Sequence, residues 1–535
     1  MKKLILIPIL LFLAGCQSLD IQPRNGLSEV VAFSDFEGYQ SYIAKVYASL
    51  TLTGQFGAAG SADLSIINDE GFSSYLRVWW KAQELTTDEA VIAWNDSGIR
   101  DLHNHSWGSS NQFVRVLYYR IYYTIALCND FLRVSSDLPS GLTQNEQDEI
   151  ENFRNEARFI RAMAHLHALD MFRNVPIITS ISSDLPVQST PQQVFDFIND
   201  ELTDLESVIL EPVDAVYGRV NKAAVWMLQA RLHLNSQVYT GVDRSTDALA
   251  ATQKIINAGY YSIAVNYKEL FRGDNHLRTD EIIWSIVHDG LVSQTWGGTT
   301  TLVRGAIGEK MQDNLTSLGA PFPDEAVKNY GVPGGWGGYR TTRSLVEKFP
   351  GAASNNGVTS DRRGIFFTEG QTLDIADIGQ FTNGWAVPKW TNLVAGGGRA
   401  PGVDQVSTDF PVFRLADAYL MHAEAELRAN GTITANTLGY LNELRFRAYG
   451  DNSGDLVNGD VTLDFILDER AREMYLEGTR RTDLIRFGKF TGGNYLWAWK
   501  GGVQAGTATS DHLRIFPIPS SELIANPRMK QNTGY

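Results

Sequence analysis

The chain has 535 residues, with 46 Lys and Arg against 61 Asp and Glu, and its formal net charge is −15. A content of 43% hydrophobic and 20% charged residues is typical of a folded globular protein and excludes a disordered or fibrous one. The negative charge argues against a nucleic-acid-binding protein, because neutralising a phosphate backbone needs a basic face. The 12 Trp, 21 Tyr and 25 Phe beside 48 Gly are unusual, and they suggest that some aromatic rings serve a binding surface.

The N terminus has the pattern of a bacterial lipoprotein leader. Two lysines precede an apolar run over residues 4–13, and the small residues before Cys16 complete the pattern. The run is too short to span a bilayer, but it has the length of the apolar region of a secretory signal. We predict a signal peptide over residues 1–15, lipidation at Cys16 and a tether over residues 16–35. The alternative is an ordinary secretory signal with a chance cysteine.

The remaining cysteine, Cys128, lies on an apolar helical stretch. With Cys16 consumed by lipid, we expect Cys128 to be a buried thiol without a disulfide partner. No other stretch reaches the roughly 18 apolar residues of a membrane helix, so the lipid anchor is the only membrane contact that we predict.

Helical periodicity dominates the chain on both sides of a long irregular region. Apolar residues recur at helical spacing within 153–164 and again within 416–427, and Asn221 is a plausible N-cap for the next helix. Paired helices of this kind are typical of tetratricopeptide units, which stack into a superhelix. We predict a mainly α fold forming one domain over residues 36–535. Its tetratricopeptide-like scaffold is expected over about 36–290 and 411–490, with a loop-rich insert over about 291–410.

The insert combines glycines with tryptophans. The segments Trp296-Gly-Gly and Trp336-Gly-Gly-Tyr339 have the composition of loops that present aromatic rings outward. A flat indole stacks on the C–H face of a sugar ring, while polar side chains bond the hydroxyl rim. The alternative is that each Trp covers the helical core from a loop. We assign four further tryptophans, flanked by apolar residues, to packing: Trp385, Trp390, Trp497 and Trp499.

Motifs of catalytic sites are absent. The sequence has no G-x-S-x-G, H-E-x-x-H, C-x-x-C or P-loop motif, and two histidines at i and i+2 on a helix, as at 165 and 167, point to different faces. The acidic run at 468–473 alternates with arginines, which indicates ionised, salt-bridged carboxylates and not a raised-pKa general acid. Asp88-Glu89 has the same ambiguity. We predict a protein that is not an enzyme and has no cofactor, although Asp274, Asp280 and Glu281 are conceivable calcium ligands.

Motifs spread along most of the chain resemble the SusD/RagB family of outer-membrane lipoproteins. They occur in the family's order: Glu-Ala-Arg-Phe-Ile-Arg-Ala at 156–162, Phe-Pro-Val-Phe-Arg-Leu-Ala-Asp-Ala-Tyr at 410–419, Gly-Thr-Arg-Arg at 478–481 and Pro-Ile-Pro at 517–519. Within the family, Glu-Leu-Thr-Thr-Asp-Glu at 84–89 and Trp-Ala-Trp-Lys-Gly-Gly at 497–502 are most similar to the founding starch-binding member.

The resemblance implies a lipid-anchored protein of the outer membrane that faces the cell exterior. It also implies a tetratricopeptide scaffold with a glycan-binding, loop-rich face, and a SusC-type TonB-dependent transporter as partner. Carried over by position, the aromatic arc of the starch-binding member falls on Trp296 and Trp336, and its ligand-contacting arginine falls on Arg77.

The third aromatic of that arc falls on Ile92, which is a departure from the family pattern. Trp94 lies two residues further on, and residues two apart on an extended segment share a face, so Trp94 can take this place. We expect Asn95 and Asp96 to bond sugar hydroxyls beside it, and Tyr339 to join the site.

The leading hypothesis is therefore a surface lipoprotein that captures an α-glucan, such as starch, glycogen or malto-oligosaccharide, without cleaving it. One alternative is the same role for another neutral glucan, such as a β-glucan. A glycoside hydrolase and a structural partner of the transporter without its own ligand site are the other classes considered.

Overall fold

The structure is a computed structural model that describes residues 29–60, 62–66, 69, 71–308, 311 and 330–535. The predicted signal peptide, Cys16 and the tether before Glu29 lie outside the described residues, so the leader and the lipid anchor remain predictions. Within the described residues, no helix combines the length and the apolar character that crossing a membrane requires.

Helices make up most of the regular structure. In the described part of the chain they are α1 Glu29–Ala32, α2 Phe36–Ala48, α3 Tyr75–Glu84, α4 Arg100–Asn104, α5 Gln112–Val134, α6 Gln144–Phe172, α7 Pro191–Val208, α8 Lys222–Leu234, α9 Ser236–Thr240, α10 Ser245–Ala258, α11 Gly298–Gly305, α12 Arg343–Val346, α13 Leu415–Asn430, α14 Ala435–Tyr449, α15 Leu463–Met474, α16 Arg480–Arg486 and α17 Ser520–Ala525. Short 3₁₀ helices lie at Gly71–Ser73, Tyr267–Phe271, Asn275–Leu277, Asn452–Gly454, Asn458–Asp460, Lys500–Gly502 and Asp511–Arg514.

Local sequence signals define where the main helices begin. Thr143 and Thr190 each form a capping box, with Glu146 at α6 and with Gln193 at α7, so the first backbone N–H groups are satisfied. Asn221 caps α8 as predicted, because its side-chain oxygen accepts from the amide of Ala224 at 3.1 Å.

The helices pack in sequence order. Helix α5 packs on α6, α6 on α7, α7 on α8, α8 on α10, α10 on α13, and α13 on both α14 and α15. This succession confirms the predicted mainly α fold and is consistent with stacked tetratricopeptide-like pairs. Cys128 is fully buried in α5, and burial raises the pKa of its thiol to about 12.

Two short antiparallel strand pairs connect distant parts of the chain. Strand β2 (Ile282–Ile286) pairs with β4 (Phe410–Arg414), and β1 (Val91–Ile92) pairs with β3 (Tyr339–Arg340). The long insert therefore leaves the scaffold at β2 and returns to it at β4. Its described part holds only two short helices and β3, so it is mostly loop, as the sequence predicted.

Buried ion pairs join the insert to the helices. Arg414 of β4 bonds Glu281 at 2.9 Å, Glu473 at 2.6 Å and Glu477 at 2.7 Å, and all four side chains are at most 1% exposed. From the insert, Arg363 bonds the same Glu473 at 3.0 Å. Burial alone would raise the pKa of Glu473, but the surrounding arginines hold it below its usual range.

The acidic residues considered as calcium ligands do not converge. Glu281 is bound to Arg414 and to Arg447, while Asp274 accepts from the amide of Ala395 at 2.9 Å. Among the described residues, no group of three side chains suited to a metal ion is found. A calcium site formed by these three residues is therefore not supported, because Glu281 is paired with two arginines.

We expect Arg414→Met to lower the free energy of unfolding by about 3–5 kcal/mol, because three buried carboxylates lose a common partner. Guanidinium denaturation would measure the loss. The matched control is Arg133→Met, which breaks an ion pair with Glu29 whose side chains are 47% and 57% exposed; we expect this to cost at most about 1 kcal/mol. Equal losses in both variants would contradict the importance assigned to the buried network.

Candidate functional site

Three remote segments place tryptophans side by side on the loop-rich part of the molecule. Trp94 follows β1, Trp336 precedes β3, and Trp296 precedes α11. The strand pair sets Ile92 opposite Tyr339, and the amide of Ala93 donates to the carbonyl of Gly338 at 2.9 Å. Trp94 Nε1 donates to the carbonyl of Trp336 at 3.1 Å. The structure thus brings together two residues that are 242 positions apart in the sequence.

The rings form a continuous group that we call the aromatic cluster: Trp94, Trp296, Trp336 and Tyr339. The ring centre of Trp336 lies 6.1 Å from that of Trp94 and 5.9 Å from that of Trp296, with interplanar angles of 53° and 57°. The three indoles are half-buried, so each keeps part of its ring accessible. Adjacent indoles are therefore in contact and tilted against each other, not coplanar.

Close packing at this surface requires glycine beside Trp94. A Cβ atom on Gly338 would lie 2.7 Å from Cε2 of Trp94, which is closer than packed carbon atoms approach. The backbone on either side is fixed as well, since the amide of Trp336 donates to the carbonyl of Arg304 at 2.7 Å. The Trp-Gly-Gly sequence is therefore a structural requirement for bringing the two rings together.

The guanidinium group of Arg304 contacts the rings of both Trp296 and Trp336. Its guanidinium carbon lies 5.4 Å from the centre of the Trp296 ring and 5.3 Å from that of Trp336, within the range of cation–π contact. Its Nε donates to the carbonyl of Gly334 at 2.9 Å, and its Nη1 reaches a carboxylate oxygen of Asp404 at 3.3 Å. Burial lowers the pKa of Arg304 from its ordinary value, but an arginine stays charged in proteins. No motif in the sequence pointed to this residue.

Two further cations lie next to Trp94. Arg77 Nη1 donates to the carbonyl of Trp296 at 3.3 Å, and its guanidinium carbon is 5.9 Å from the Trp94 ring. Lys81 Nζ is 5.5 Å from the same ring and 4.8 Å from that of Phe72, with no hydrogen-bond partner among the described residues. Burial, with a contribution from Arg77, lowers the pKa of Lys81 well below its usual value. Arg77 was expected from the resemblance, whereas Lys81 was missed.

Tyr339 differs from the expectation. It is 3% exposed, and its ring lies 4.7 Å from that of Trp80 and 5.4 Å from that of Trp94, so it supports Trp94 from within the core. The prediction of a sugar-contacting Tyr339 is therefore corrected, because the β-ladder directs this residue inward. Ile92 is fully buried, and Trp94 is the residue that contacts Trp336.

The polar residues predicted beside Trp94 are accessible. Asn95 and Asp96 are both exposed directly after it. The tryptophans assigned to packing do pack: Trp385, Trp390 and Trp497 are at most 3% exposed, and Trp499 packs against a small apolar cluster with Val91.

Most of the carboxylates considered for hydrolysis are buried, and Asp468, whose side chain is 45% exposed, is paired with Lys348 at 2.6 Å. Glu469 is fully buried; burial alone would raise its pKa, but Arg363, Arg472 and Arg445 lower it to about 2. Asp88 is likewise held by Arg480, which lowers its pKa to about 2 against the effect of burial. Neither group can reach a glycosidic bond or act as a general acid.

The histidine pairs are also structural. His103, His105 and His165 are buried and His167 is half-buried, and loss of solvation lowers the pKa of each to between about 3 and 4. His165 bonds the carbonyl of Arg161, and His167 bonds the hydroxyl of Tyr75. They are neutral core histidines at physiological pH, as the sequence suggested.

Comparison with known proteins identifies the family. Residues 362–535 match the family model described as "SusD family", and residues 76–234 match the one described as "Starch-binding associating with outer membrane". The starch-binding protein SusD of Bacteroides thetaiotaomicron is 36% identical over 531 residues, covering 93% of this chain and 92% of that protein. The chain therefore belongs to the SusD family.

Solved structures agree with this assignment at the level of the fold. A SusD homologue from Bacteroides thetaiotaomicron superposes with a TM-score of 0.70 at 19% identity, covering 95% of this chain and 99% of that one. Surface glycan-binding protein A from the same organism, in complex with laminarihexaose, superposes with a TM-score of 0.67 at 18% identity, covering 93% and 99%.

A buried carboxyl pair lies between the helix that carries Arg77 and the strand that leads to Trp94. Burial raises the pKa of Glu84 well above its usual value, and the neighbouring Glu89 raises it further. Burial also raises the pKa of Glu89 to about 7, although Arg480 lowers it in part. Glu84 accepts a hydrogen bond from the amide of Gly478, and Glu89 accepts one from the amide of Leu476. The pair therefore connects this segment to the loop after α15.

We expect Glu84→Gln to flatten the pH dependence of the unfolding free energy. Both folded-state pKa values lie above the value of about 4.3 for an unfolded Glu. The folded state therefore keeps protons that the unfolded state releases. This stabilisation is complete below about pH 4.3. The contribution of Glu89 is lost as the pH rises through its pKa of about 7, and that of Glu84 is lost as the pH rises through its own raised pKa. Gln at position 84 keeps a donor for Glu89 and removes one titrating group, which reduces the slope by up to about 1.4 kcal/mol per pH unit.

Guanidinium denaturation at pH 5, 6, 7 and 8 would measure this slope. Glu151→Gln is the control, because that side chain is 64% exposed and should leave the slope as in the wild type. Identical slopes for Glu84→Gln and the wild type would show that the pair does not hold a shared proton.

Proposed function

We propose that this chain is a surface glycan-binding lipoprotein that captures an α-glucan, such as starch, glycogen or malto-oligosaccharide, and does not cleave it. The observation that carries the proposal is the group of three half-buried, mutually tilted tryptophans, Trp94, Trp296 and Trp336, each in ring contact with the next. The chain belongs to a family of binding proteins, not enzymes, and its 36% identical relative is named as starch-binding.

The geometry suits a neutral sugar polymer. Aromatic faces bury the C–H side of sugar rings with little rotamer entropy to lose, because an indole has only two side-chain torsions. Asn95 and Asp96 are exposed directly after Trp94, and their side chains can bond hydroxyl groups at the edge of such a ligand. Rings tilted by 53° and 57° against each other suit a polymer whose successive sugars also change direction, which is why we prefer an α-glucan over an extended chain.

The cations do not argue for an acidic ligand. Arg77, Lys81 and Arg304 all lie within cation–π distance of the cluster, and the first two are at most 7% exposed. The guanidinium charges of Arg77 and Arg304 are directed at the indole rings, where they stabilise the arrangement of the cluster, while burial lowers the pKa of Lys81 well below its usual value. A charged polysaccharide would need cations that reach the solvent.

We also propose attachment to the outer membrane through lipid on Cys16, with the cluster facing the cell exterior, and delivery of the glycan to a SusC-type TonB-dependent transporter. The description of the matched family as associating with the outer membrane supports the location. The partner follows from the family resemblance of the sequence motifs.

Affinity electrophoresis on three polymers tests the ligand class. Retardation in gels containing amylopectin, but not laminarin or levan, is the expected result. Laminarin is the β-linked comparison, since a structural relative with 18% identity is complexed with laminarihexaose. Retardation by laminarin alone would move the proposal to a β-glucan, and retardation by none of the polymers would reject glucan binding.

We expect Trp296→Ala and Trp336→Ala each to weaken binding of amylopectin by about 1–3 kcal/mol, the scale of a central aromatic anchor. Isothermal titration calorimetry with maltoheptaose gives the same quantity for a defined ligand. Tyr260→Ala is the matched control, because this aromatic residue is 39% exposed and lies outside the cluster. Wild-type affinity in both tryptophan variants would remove the cluster as the binding site.

We expect Arg304→Met to weaken maltoheptaose binding by about 0.5–2 kcal/mol, because both tryptophans lose the cation between them. Met keeps an unbranched apolar stem beside the rings but has no guanidinium group. Since Arg304 acts through the rings, tryptophan fluorescence of the free protein should shift, and Arg304→Lys should restore part of the affinity. Unchanged emission and affinity would contradict this role.

A further inference from the structure

A groove adjoins Trp336 on the insert. Its volume is about 370 Å³, within the range of roughly 300–1,000 Å³ that is typical of small-molecule sites. The residues that line it include Trp336, Phe367, Phe381, Glu369, Gln371 and Thr382.

The walls of the groove are held rigidly. The amide of Phe367 donates to the carbonyl of Ala386 at 2.9 Å, closing the loop between them. Gln371 crosses this loop, since its side-chain Nε2 donates to the carbonyl of Phe381 at 3.2 Å and its Oε1 accepts from the amide of Ala386 at 2.6 Å. The groove is therefore preformed by backbone and side-chain hydrogen bonds.

Phe381 is placed against the same loop that carries Trp336. A Cβ atom on Gly308 would lie 2.3 Å from Cε1 of Phe381, so only glycine permits the ring to come this close. A Cβ atom on Gly337, the residue after Trp336, would lie 3.5 Å from Cγ of Phe381. Phe381 is itself half-buried, which leaves part of its ring accessible.

The lining combines aromatic and polar groups. Trp336 and Phe381 offer aromatic surface, while Glu369 and Thr382 are exposed at the mouth. A carboxylate and a hydroxyl at the rim of an aromatic wall are groups that can bond sugar hydroxyls. The groove thus repeats the chemistry of the aromatic cluster and shares Trp336 with it.

We propose that this groove is a second sugar subsite, which holds sugar residues of the same chain beyond those stacked on the aromatic cluster. The proposal rests on the proposed function, because its occupant is a continuation of the glycan bound at Trp94, Trp296 and Trp336. It assigns the protein a preference for oligosaccharides long enough to extend past Trp336 into the groove.

Calorimetry with a short and a long ligand tests this subsite. Phe381→Ala should weaken binding of maltoheptaose about five- to tenfold, the scale of one aromatic stacking contact. Binding of maltotriose should change by less than about twofold, as for a substitution outside the contact. Trp336→Ala should weaken binding of both ligands. Glu369→Ala, which removes an exposed carboxylate of the groove lining, should also weaken binding of maltoheptaose only.

Phe446→Ala is the matched control, because this phenylalanine is 52% exposed on α14. It should bind both ligands as the wild type does, and circular dichroism should show that every variant is folded. If Phe381→Ala and Glu369→Ala bind maltoheptaose with wild-type affinity while Trp336→Ala loses it, the groove is not a subsite and the proposed function stands. If Phe381→Ala weakens both ligands equally, the groove proposal is also overturned. If the wild type binds neither ligand, α-glucan binding itself fails.

Discussion

The contact of Arg414 with Glu281, Glu473 and Glu477 joins parts of the chain that share no local signal. Arg414 stands on the strand where the insert ends, Glu281 lies directly before the strand where it begins, and Glu473 belongs to a later helix. Charges at this depth are costly unless each has its partner. The insert, the strand pair and α15 are therefore interdependent, since each depends on the others to neutralise its buried groups.

The network also reaches into the insert itself. Arg363 bonds Glu469 and Glu473, and Lys389 bonds Glu477 at 2.7 Å. A long segment without regular secondary structure has few backbone hydrogen bonds of its own to hold it in place. Here buried ion pairs between the insert and residues 469–477 hold the insert in place. The loops that carry Trp296 and Trp336 can therefore hold fixed positions on a helical scaffold.

A preorganised aromatic surface follows from these supports. Trp94 and Trp336 are linked through a strand pair and an indole hydrogen bond, and Arg304 lies against both Trp336 and Trp296. Rings that are already oriented lose less freedom when a ligand binds, so more of the contact energy is available as affinity. Arg77 and Arg304 lie against the rings, so their charge is directed at the indoles. The neutral glycan that we propose would gain from the ordered rings without meeting an ionic groove.

The sequence alone was sufficient for the class of fold, and it pointed to the three tryptophans that the structure brings together. Helical periodicity and capping residues are local signals, and they identified the helices of the scaffold, as the Asn221 cap on α8 shows. The Trp-Gly-Gly composition pointed to Trp296 and Trp336, and the family motifs added Arg77. Trp94 was expected from its position two residues after Ile92, and the structure places it against Trp336.

Only the tertiary structure decided the rest, because it depended on contacts between distant residues. Tyr339 belongs to the right segment, but the register of β1 with β3 turns its ring inward, and no pattern in the sequence encodes that register. Arg304, Lys81 and Phe381 carry no motif, and their roles arise from rings contributed by other loops. The sequence thus determined the helical scaffold and which residue types could stack on a ligand. The long-range packing of charges and strands determined which of those residues meet, and which remain accessible.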